Sequence, residues 1–175
     1  GKLLSEKGLV VTMWHRNFNV VNHLLDTKTH YLIPELIFPS NVEFTNDISS
    51  AIQSSEIIVL ALPSQSIRDV ITKNKSSFNK NHIIVNVSKG IEIDTLMTVS
   101  EVINDVLDGQ HKSLVTLSGP SHAEEVISGH PTTLVAASND VQSAEIIQNL
   151  FATEKLRTYL NRDCLLYTSD AADEL

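Results

Sequence analysis

Three short stretches of this 175-residue sequence carry side chains or turns that could bind an anionic ligand. Arg16 lies in the stretch WHRN, and Lys89 lies in SKGIE. Either cation can neutralise a phosphate, and a lysine can also donate a hydrogen bond to a carbonyl or hydroxyl oxygen. The third stretch, SGPSHAEE, combines a turn at Gly119-Pro120 with Ser121, a good helix N-cap. The N–H groups that open a helix form a site for an anion.

Each stretch also has an explanation that needs no ligand. Arg16 could be an ordinary surface arginine, and Lys89 could be a solvated lysine in a β-turn. Ser121 with Glu124 three residues later makes a capping box, which by itself accounts for the third stretch. Spacing alone therefore indicates no more than an α/β domain that handles a nucleotide.

The elements that must position these residues alternate between two patterns. Short apolar runs rich in β-branched residues, without alternation of polar and apolar positions, predict strands covered on both faces, as in parallel sheets. The runs are Leu9–Trp14, Glu56–Leu62, His82–Ser88, Ser113–Leu117 and Thr132–Ala137, with Val42–Thr45 and Leu156–Leu160 as weaker candidates. All three stretches follow such runs.

Helical spacing of Val, Ile and Leu separates the runs. The predicted helices are Phe18–Lys28, Ser66–Lys75, Thr95–Leu107 and Val141–Phe151, with a shorter one at Ile48–Gln53; Asp47 and Asp140 are candidate N-caps, and Gly8 is the candidate C-cap of an opening helix. Strands that alternate with helices predict an α/β, Rossmann-like doubly wound parallel sheet. Its ligands bind at the carboxyl ends of the strands.

Arg16 follows the first predicted run, Leu9–Trp14. In dinucleotide-binding folds a strand end of this kind meets the adenosine ribose. A carboxylate there favours NAD, and an arginine accommodates the 2′-phosphate of NADP. Arg16 without a neighbouring acid therefore favours NADP, although NAD stays open.

Composition excludes several functional classes. The formal net charge of −8 argues against nucleic acid as a partner. No apolar run approaches the roughly 20 residues of a membrane span, so no integral membrane contact is expected. The single cysteine, Cys164, rules out an internal disulfide, and no metal-ligand spacing occurs. The cytoplasm is the expected compartment.

No common nucleotide-binding or nucleophile motif is present in the sequence. It contains neither GxGxxG nor the Walker pattern, and it has no GxSxG elbow.

Six blocks together resemble the bacterial type of NAD(P)-dependent glycerol-3-phosphate dehydrogenase, in the order and with gaps similar to those of that family. They are Trp14–Asn17, Ala61–Arg68, Ser88–Glu92, Ser118–Val126, His130–Ser138 and Leu156–Asp163. The resemblance covers about Gly1 to Asp163. SKGIE followed by SGPSxAxE is its most specific pair.

The resemblance implies an oxidoreductase that interconverts sn-glycerol 3-phosphate and dihydroxyacetone phosphate with NADP or NAD, for glycerophospholipid synthesis. It implies that Arg16, Lys89 and Ala123 contact the coenzyme and that Lys89, Gly119 and Ser121 contact the substrate. The expected partners are these small molecules, and a homodimer of the parent protein is the candidate assembly.

The sequence also departs from the family. Its first strand, its glycine-rich phosphate loop and its helical domain with the catalytic lysine are not found. We therefore expect residues 1–163 to be a partial dinucleotide-binding domain with no catalytic residue, inactive alone. Cys164–Leu175 is expected to be a non-native or disordered tail, because the family pattern stops abruptly at Asp163.

Two alternatives remain at this point. One is another two-domain Rossmann dehydrogenase, of the ketopantoate reductase or hydroxyacyl-CoA dehydrogenase type. Lys89 followed by Gly-Ile-Glu, and the SGPS block, speak against it. The other is a non-catalytic flavodoxin-like or receiver module, which would need acids clustered at the strand ends, where only scattered ones occur.

Overall fold

A computed structural model describes residues 1–33, 35–120, 126 and 128–162. Ser121, Ala123 and the tail Cys164–Leu175 lie outside the described residues. The chain divides into two compact units, Gly1–Ser54 and Ser55–Leu175. No helix in the described part has both the length and the apolar character of a membrane-spanning segment.

The first unit is a two-stranded parallel sheet with three helices. Strand β1 (Val11–Trp14) pairs with β2 (Val42–Thr45), with Val11 opposite Val42. The helices are α1 (Lys2–Glu6), α2 (Phe18–Thr27) and α3 (Ile48–Gln53). The core of this unit consists of buried apolar side chains from its helices, β2 and the segment that leads into β2: Val21, Leu24, Leu36, Phe38, Val42, Phe44 and Ile52.

The caps of this unit follow simple sequence rules. Asn17 accepts a hydrogen bond from Asn19 N at 2.9 Å and starts α2. Asp47 accepts one from Ser50 N at 3.0 Å and starts α3, which confirms its prediction as an N-cap. The C-cap of α1 is Lys7, one residue before the predicted C-cap Gly8. Gly8 follows it with a φ of 85°.

The second unit is a five-stranded sheet in the order β3-β4-β5-β6-β7. The strands are β3 (Ile57–Leu60), β4 (Ile83–Asn86), β5 (Ser113–Ser118), β6 (Thr132–Ala137) and β7 (Leu156–Asn161). In the described part of this unit the helices are α4 (Ser64–Lys73), α5 (Val99–Leu107) and α6 (Val141–Phe151), with a 3₁₀ turn at Lys75–Ser77. All strand pairs are parallel except β5 with β6.

The core of the second unit lies around β4, whose four residues are all buried. The helices α4 and α5 bury residues at spacings of three and four, such as Val99 with Val102 and Ile67 with Ile71, as amphipathic helices do. Burying such side chains supplies about 1.5–3 kcal/mol each. The α/β fold with a mostly parallel sheet is therefore confirmed.

Three details of the prediction were wrong. Strand β6 runs antiparallel to β5 and not parallel to it. The prediction was wrong because a continuous apolar run indicates burial and contains no information on strand direction. Helix α5 begins at Val99 and not at Thr95, because Thr98 and Glu101 form the capping box. Strands β1 and β3 are not buried on both faces: β1 is half-buried throughout and Val59 of β3 is exposed. Each of these two strands is at an edge of its own sheet.

Candidate functional site

The carboxyl ends of three neighbouring strands lie at one edge of the five-stranded sheet. Strands β3, β4 and β5 are parallel and in register, with Leu60 opposite Asn86 and Asn86 opposite Thr116. Lys89 and Gly119 follow the second and third of these strands. The structure thus brings two of the predicted site residues to the same edge, where ligands of such sheets bind.

The turn that carries Lys89 is tied to β3 and to its own strand. Ser88 Oγ donates to Leu60 O at 3.2 Å and accepts from Leu62 N at 3.0 Å. Asn86 Oδ1 accepts from Ser88 N at 2.9 Å, and the Asn86 side chain is fully buried. Lys89 therefore leaves a fixed backbone and is itself exposed.

The next residue requires glycine for conformational reasons. Gly90 has a φ of 100°, a region that other residues enter only with strain. A side chain there would also meet Ser64 Oγ at 3.3 Å from its first carbon atom. The glycine lets the chain reverse direction directly after Lys89.

Beyond Gly90, an ion pair holds the segment that leads to α5. Arg68 Nε lies 2.9 Å from Glu92 Oε1, and Arg68 Nη2 lies 3.0 Å from Glu92 Oε2. Arg68 Nη1 donates to Asp105, and Thr95 Oγ1 donates to Glu92. The hydrogen bonds from Arg68, then that from Thr95, lower the pKa of Glu92. Glu92 thus stays ionised until the pH falls below its ordinary carboxyl range, and the ion pair is lost only there.

No sequence pattern assigns a role to Gln65, Arg68 or Glu92. All three lie inside blocks quoted for the resemblance, but their contacts join positions 24 or more residues apart. The available signal was a lone acid directly after SKGI and a lone arginine near the start of the earlier helical pattern Ser66–Lys75. Spacing could not have paired them.

Gly119 has a structural explanation that does not involve a ligand. An added side chain would lie 2.5 Å from Thr133 O and 3.2 Å from Leu134 Cα, on the neighbouring strand β6. Packing between β5 and β6 therefore requires the glycine. Its place at the carboxyl end of β5 agrees with a ligand-contacting role but does not itself demonstrate one. Ser121 and Ala123, the other predicted contacts of this stretch, lie outside the described residues.

Arg16 belongs to the first unit and is exposed just after the carboxyl end of β1. The backbone before it is held, because His15 N donates to Thr45 O at 3.0 Å. His15 Nδ1 then accepts from Asn17 N at 3.1 Å, so hydrogen bonds hold the backbone on both sides of Arg16. This is the position that the sequence predicted for a coenzyme-contacting arginine.

The aromatic ring of Tyr31 lies beside this turn, and no sequence pattern indicated this contact. The ring of Tyr31 packs edge-on to His15, with centroids 6.1 Å apart, and stacks on His30 at 5.0 Å. Tyr31 remains 44% exposed. Burial, and then the neighbouring His15, lower the pKa of His30, which favours its neutral form. The unit therefore presents a cation and an exposed aromatic ring in the same region.

The residues of each unit, taken by itself, fit part of a nucleotide better than a metal ion. In the first unit the Arg16 guanidinium suits a phosphate and the exposed Tyr31 ring suits a flat ring. In the second unit the Lys89 ammonium suits a phosphate or a hydroxyl oxygen. Among the described residues no group of three or more His, Cys, Asp or Glu side chains could hold a metal ion.

Comparisons with known proteins agree with this assignment. The sequence model of the NAD-dependent glycerol-3-phosphate dehydrogenase N-terminus matches residues 1–144. A glycerol-3-phosphate dehydrogenase (NAD(P)+) of Clostridium perfringens is 42% identical over 166 residues, which cover 94% of this chain and 50% of that protein. The corresponding enzyme of Listeria monocytogenes is 40% identical over 93% of this chain and 49% of its own length.

Solved structures show the same fold. The crystal structure of glycerol-3-phosphate dehydrogenase from Coxiella burnetii superposes with a TM-score of 0.86 at 25% identity, over 94% of this chain and 50% of that one. A UDP-glucose dehydrogenase from Pyrobaculum islandicum reaches 0.66 at 13% identity, over 98% of this chain and 45% of that one, and shares the fold alone.

The chain spans about half the length of the curated relatives that it matches. Identity of this level over nearly the whole chain and the match of the sequence model over residues 1–144 both point to one family. The chain therefore belongs to the NAD-dependent glycerol-3-phosphate dehydrogenase family, of which it matches the N-terminal part.

Proposed function

We propose that this chain is the coenzyme-binding part of an enzyme that interconverts sn-glycerol 3-phosphate and dihydroxyacetone phosphate. The observation that carries the proposal is the turn after β4, which holds Lys89 at the strand-end edge beside the end of β5. The family membership supplies the reaction, because relatives over the same stretch bear that enzyme's name. The proposed setting is glycerophospholipid synthesis in the cytoplasm.

The proposed coenzyme is NADP or NAD, which when bound accepts a hydride from C2 of the alcohol or returns it to the ketone. Lys89 donates a hydrogen bond to the oxygen on C2. Its positive charge stabilises that oxygen most when it is anionic, so the contact strengthens in the transition state. Gly119 and Ser121 are the proposed substrate contacts in the next turn, and Ala123 is a proposed coenzyme contact.

No residue of this chain is proposed as the group that exchanges the hydroxyl proton. The chain covers half of its relatives' length, and the resemblance assigns the catalytic lysine to the other half. The role proposed for the described residues is to bind and orient the coenzyme and to polarise the C2 oxygen. We therefore expect turnover from the full-length enzyme and not from this chain alone.

The proposal is tested by assaying the full-length enzyme that carries this chain. Purified protein is expected to oxidise NADPH or NADH when dihydroxyacetone phosphate is added, and to reduce the coenzyme with glycerol 3-phosphate. Ketopantoate and acetoacetyl-CoA serve as the substrates of the alternative dehydrogenases. Turnover of either of these without turnover of dihydroxyacetone phosphate contradicts the proposal.

Arg16 gives a separate test of coenzyme choice. Arg16→Asp is expected to weaken NADPH binding by about tenfold or more and NADH binding much less, because only NADPH carries the 2′-phosphate that the guanidinium neutralises. Fluorescence titration of both coenzymes against both proteins measures this. Arg157→Asp, at an exposed position of β7, is the matched control for the change of charge. Equal losses for the two coenzymes would contradict the preference for NADP.

A further inference from the structure

The segment after Lys89 and Gly90 forms a small closed loop. Glu92 N donates to Met97 O at 2.8 Å, and Leu96 N donates to Glu92 O at 2.8 Å. An isolated antiparallel bridge joins Ile91 to Thr98, directly before α5. Residues 91–98, called the Glu92 loop below, therefore have a defined backbone although they lie outside the named helices and strands.

Gln65, in the first turn of α4, joins this loop at two backbone atoms. Its Nε2 donates to Ile91 O at 2.7 Å, and its Oε1 accepts from Ile93 N at 3.1 Å. Both ends of one amide group are thus used on the loop. The contact is specific for glutamine, because no other side chain of this length offers a donor and an acceptor side by side.

Arg68 lies three residues further along α4, on the same face of the helix, and binds the loop through a side chain. It makes the two-point ion pair with Glu92 and extends to Asp105 on α5. The Glu92 side chain is 10% exposed and the Arg68 side chain is 32% exposed, so the protein shields much of the ion pair from solvent. Two-point arginine–carboxylate pairs fix direction as well as distance.

We propose that Gln65 and Arg68 are positioning residues that hold Lys89 in its working orientation through the Glu92 loop. The inference rests on the function proposed for Lys89. Ser88 anchors the chain before Lys89, on Leu60 and Leu62. Gln65 anchors the chain at Ile91, two residues after Lys89. Lys89 and Gly90 are the two residues that lie between these anchors in the sequence, and glycine is the residue whose backbone rotates most easily.

Loss of the Gln65 contacts removes the hold on the chain at Ile91 and Ile93, while the Arg68–Glu92 pair and the Ile91–Thr98 bridge remain. The backbone at Gly90 can then adopt other conformations, and the Lys89 ammonium group moves with it. Misplacement of a reacting group by about 1 Å lowers a rate by roughly 100-fold. The helix α4 therefore acts on the reaction without touching the substrate.

Gln65→Leu in the full-length enzyme tests the inference. We expect kcat/KM for dihydroxyacetone phosphate to fall by about 10- to 100-fold, mostly through kcat. The control is Gln148→Leu, which removes a similar bond, from Gln148 Nε2 to Thr158 O at 2.7 Å, far along the chain from Lys89. Both variants lose one glutamine side chain bound to backbone, so both are expected to lower Tm slightly, but only Gln65→Leu is expected to lower kcat.

A double variant separates positioning from a general effect on stability. In a Lys89→Met background, Gln65→Leu is expected to change kcat/KM by less than about threefold, because the group that it positions is already gone. Its effect on Tm should persist in full. A merely structural role for Gln65 would give the same loss of kcat/KM in both backgrounds, and that result overturns the inference.

Two further measurements keep the test decisive. Gln65→Glu is nearly isosteric, keeps the acceptor for Ile93 N and places an oxygen against Ile91 O, so an intermediate loss of kcat is expected even if Gln65→Leu does not fold. Hydrogen exchange at the Ile93 amide is expected to accelerate in Gln65→Leu, which removes the acceptor of this amide, and to change much less in Gln65→Glu, which keeps it. Unchanged exchange in Gln65→Leu contradicts the anchor itself, without any reference to activity.

The outcomes distinguish this inference from the proposed function. If Lys89→Met is impaired while the Gln65 variants stay within about threefold of wild type, the positioning role is wrong and the proposed function stands. If wild-type enzyme does not turn over dihydroxyacetone phosphate, the proposed function fails, and the exchange rate at Ile93 still reports on the anchor.

Discussion

Lys89→Met in the full-length enzyme is expected to lower kcat/KM for dihydroxyacetone phosphate by about 10²–10³, the range for removing one donor to a developing oxyanion. Methionine is unbranched and flexible like lysine, although one atom shorter, and it has neither charge nor an N–H donor. The loss should appear in kcat as well as in kcat/KM, since the contact strengthens as the C2 oxygen gains negative charge. Steady-state kinetics with saturating coenzyme measures it.

Lys80→Met is the matched control for this substitution. Lys80 is exposed and precedes the amino end of β4, whereas Lys89 follows the carboxyl end of the same strand. The control removes the same charge from the opposite end of the strand and is expected to leave the kinetics unchanged. A Lys89→Met enzyme within about threefold of wild type would show that Lys89 is a solvated turn residue.

The second large effect concerns the folding of this chain alone. In the part of the chain that the structure describes, β1 pairs only with β2, and β3 pairs only with β4. Each therefore has one edge of backbone N–H and C=O groups without a strand partner. Such groups cost about 1–3 kcal/mol each where they are shielded from water, and a whole domain is stable by only about 5–15 kcal/mol. We expect residues 1–162, expressed alone, to be insoluble or molten.

Circular dichroism and a thermal scan test this expectation. The chain alone should show far-UV signal without near-UV signal and without a cooperative transition. The full-length enzyme is the control and should show both. A cooperative transition with near-UV signal in the isolated chain would mean that the open edges of β1 and β3 are tolerated, and the expectation would be wrong.

Much of the fold was predictable from short apolar runs. The runs located all seven described strands, and therefore the turns that carry Arg16, Lys89 and Gly119. The start of α5 was also predictable in principle, because Thr98 with Glu101 three residues later is a capping-box pattern. The apolar spacing extends back to Leu96, and for this reason it predicts an earlier start.

Other features were not available from local sequence. The direction of β6 depends on how the chain returns from β5, and an apolar run contains no information on direction. The pairing of Arg68 with Glu92 and the stacking of Tyr31 on its histidine neighbours are tertiary contacts between separate segments. Propensity and spacing describe each segment alone, so they identify such residues only as exposed polar or aromatic positions.

The close approach of β6 to Gly119 affects how variant screens of this family should be interpreted. A screen that scores growth or activity alone would find most substitutions at Gly119 harmful and would assign the position to the substrate site. The first carbon of any side chain there meets Thr133 O at 2.5 Å, so the protein level would fall before any ligand is involved. Only variants whose activity per folded molecule is measured can report on Gly119 as a ligand contact.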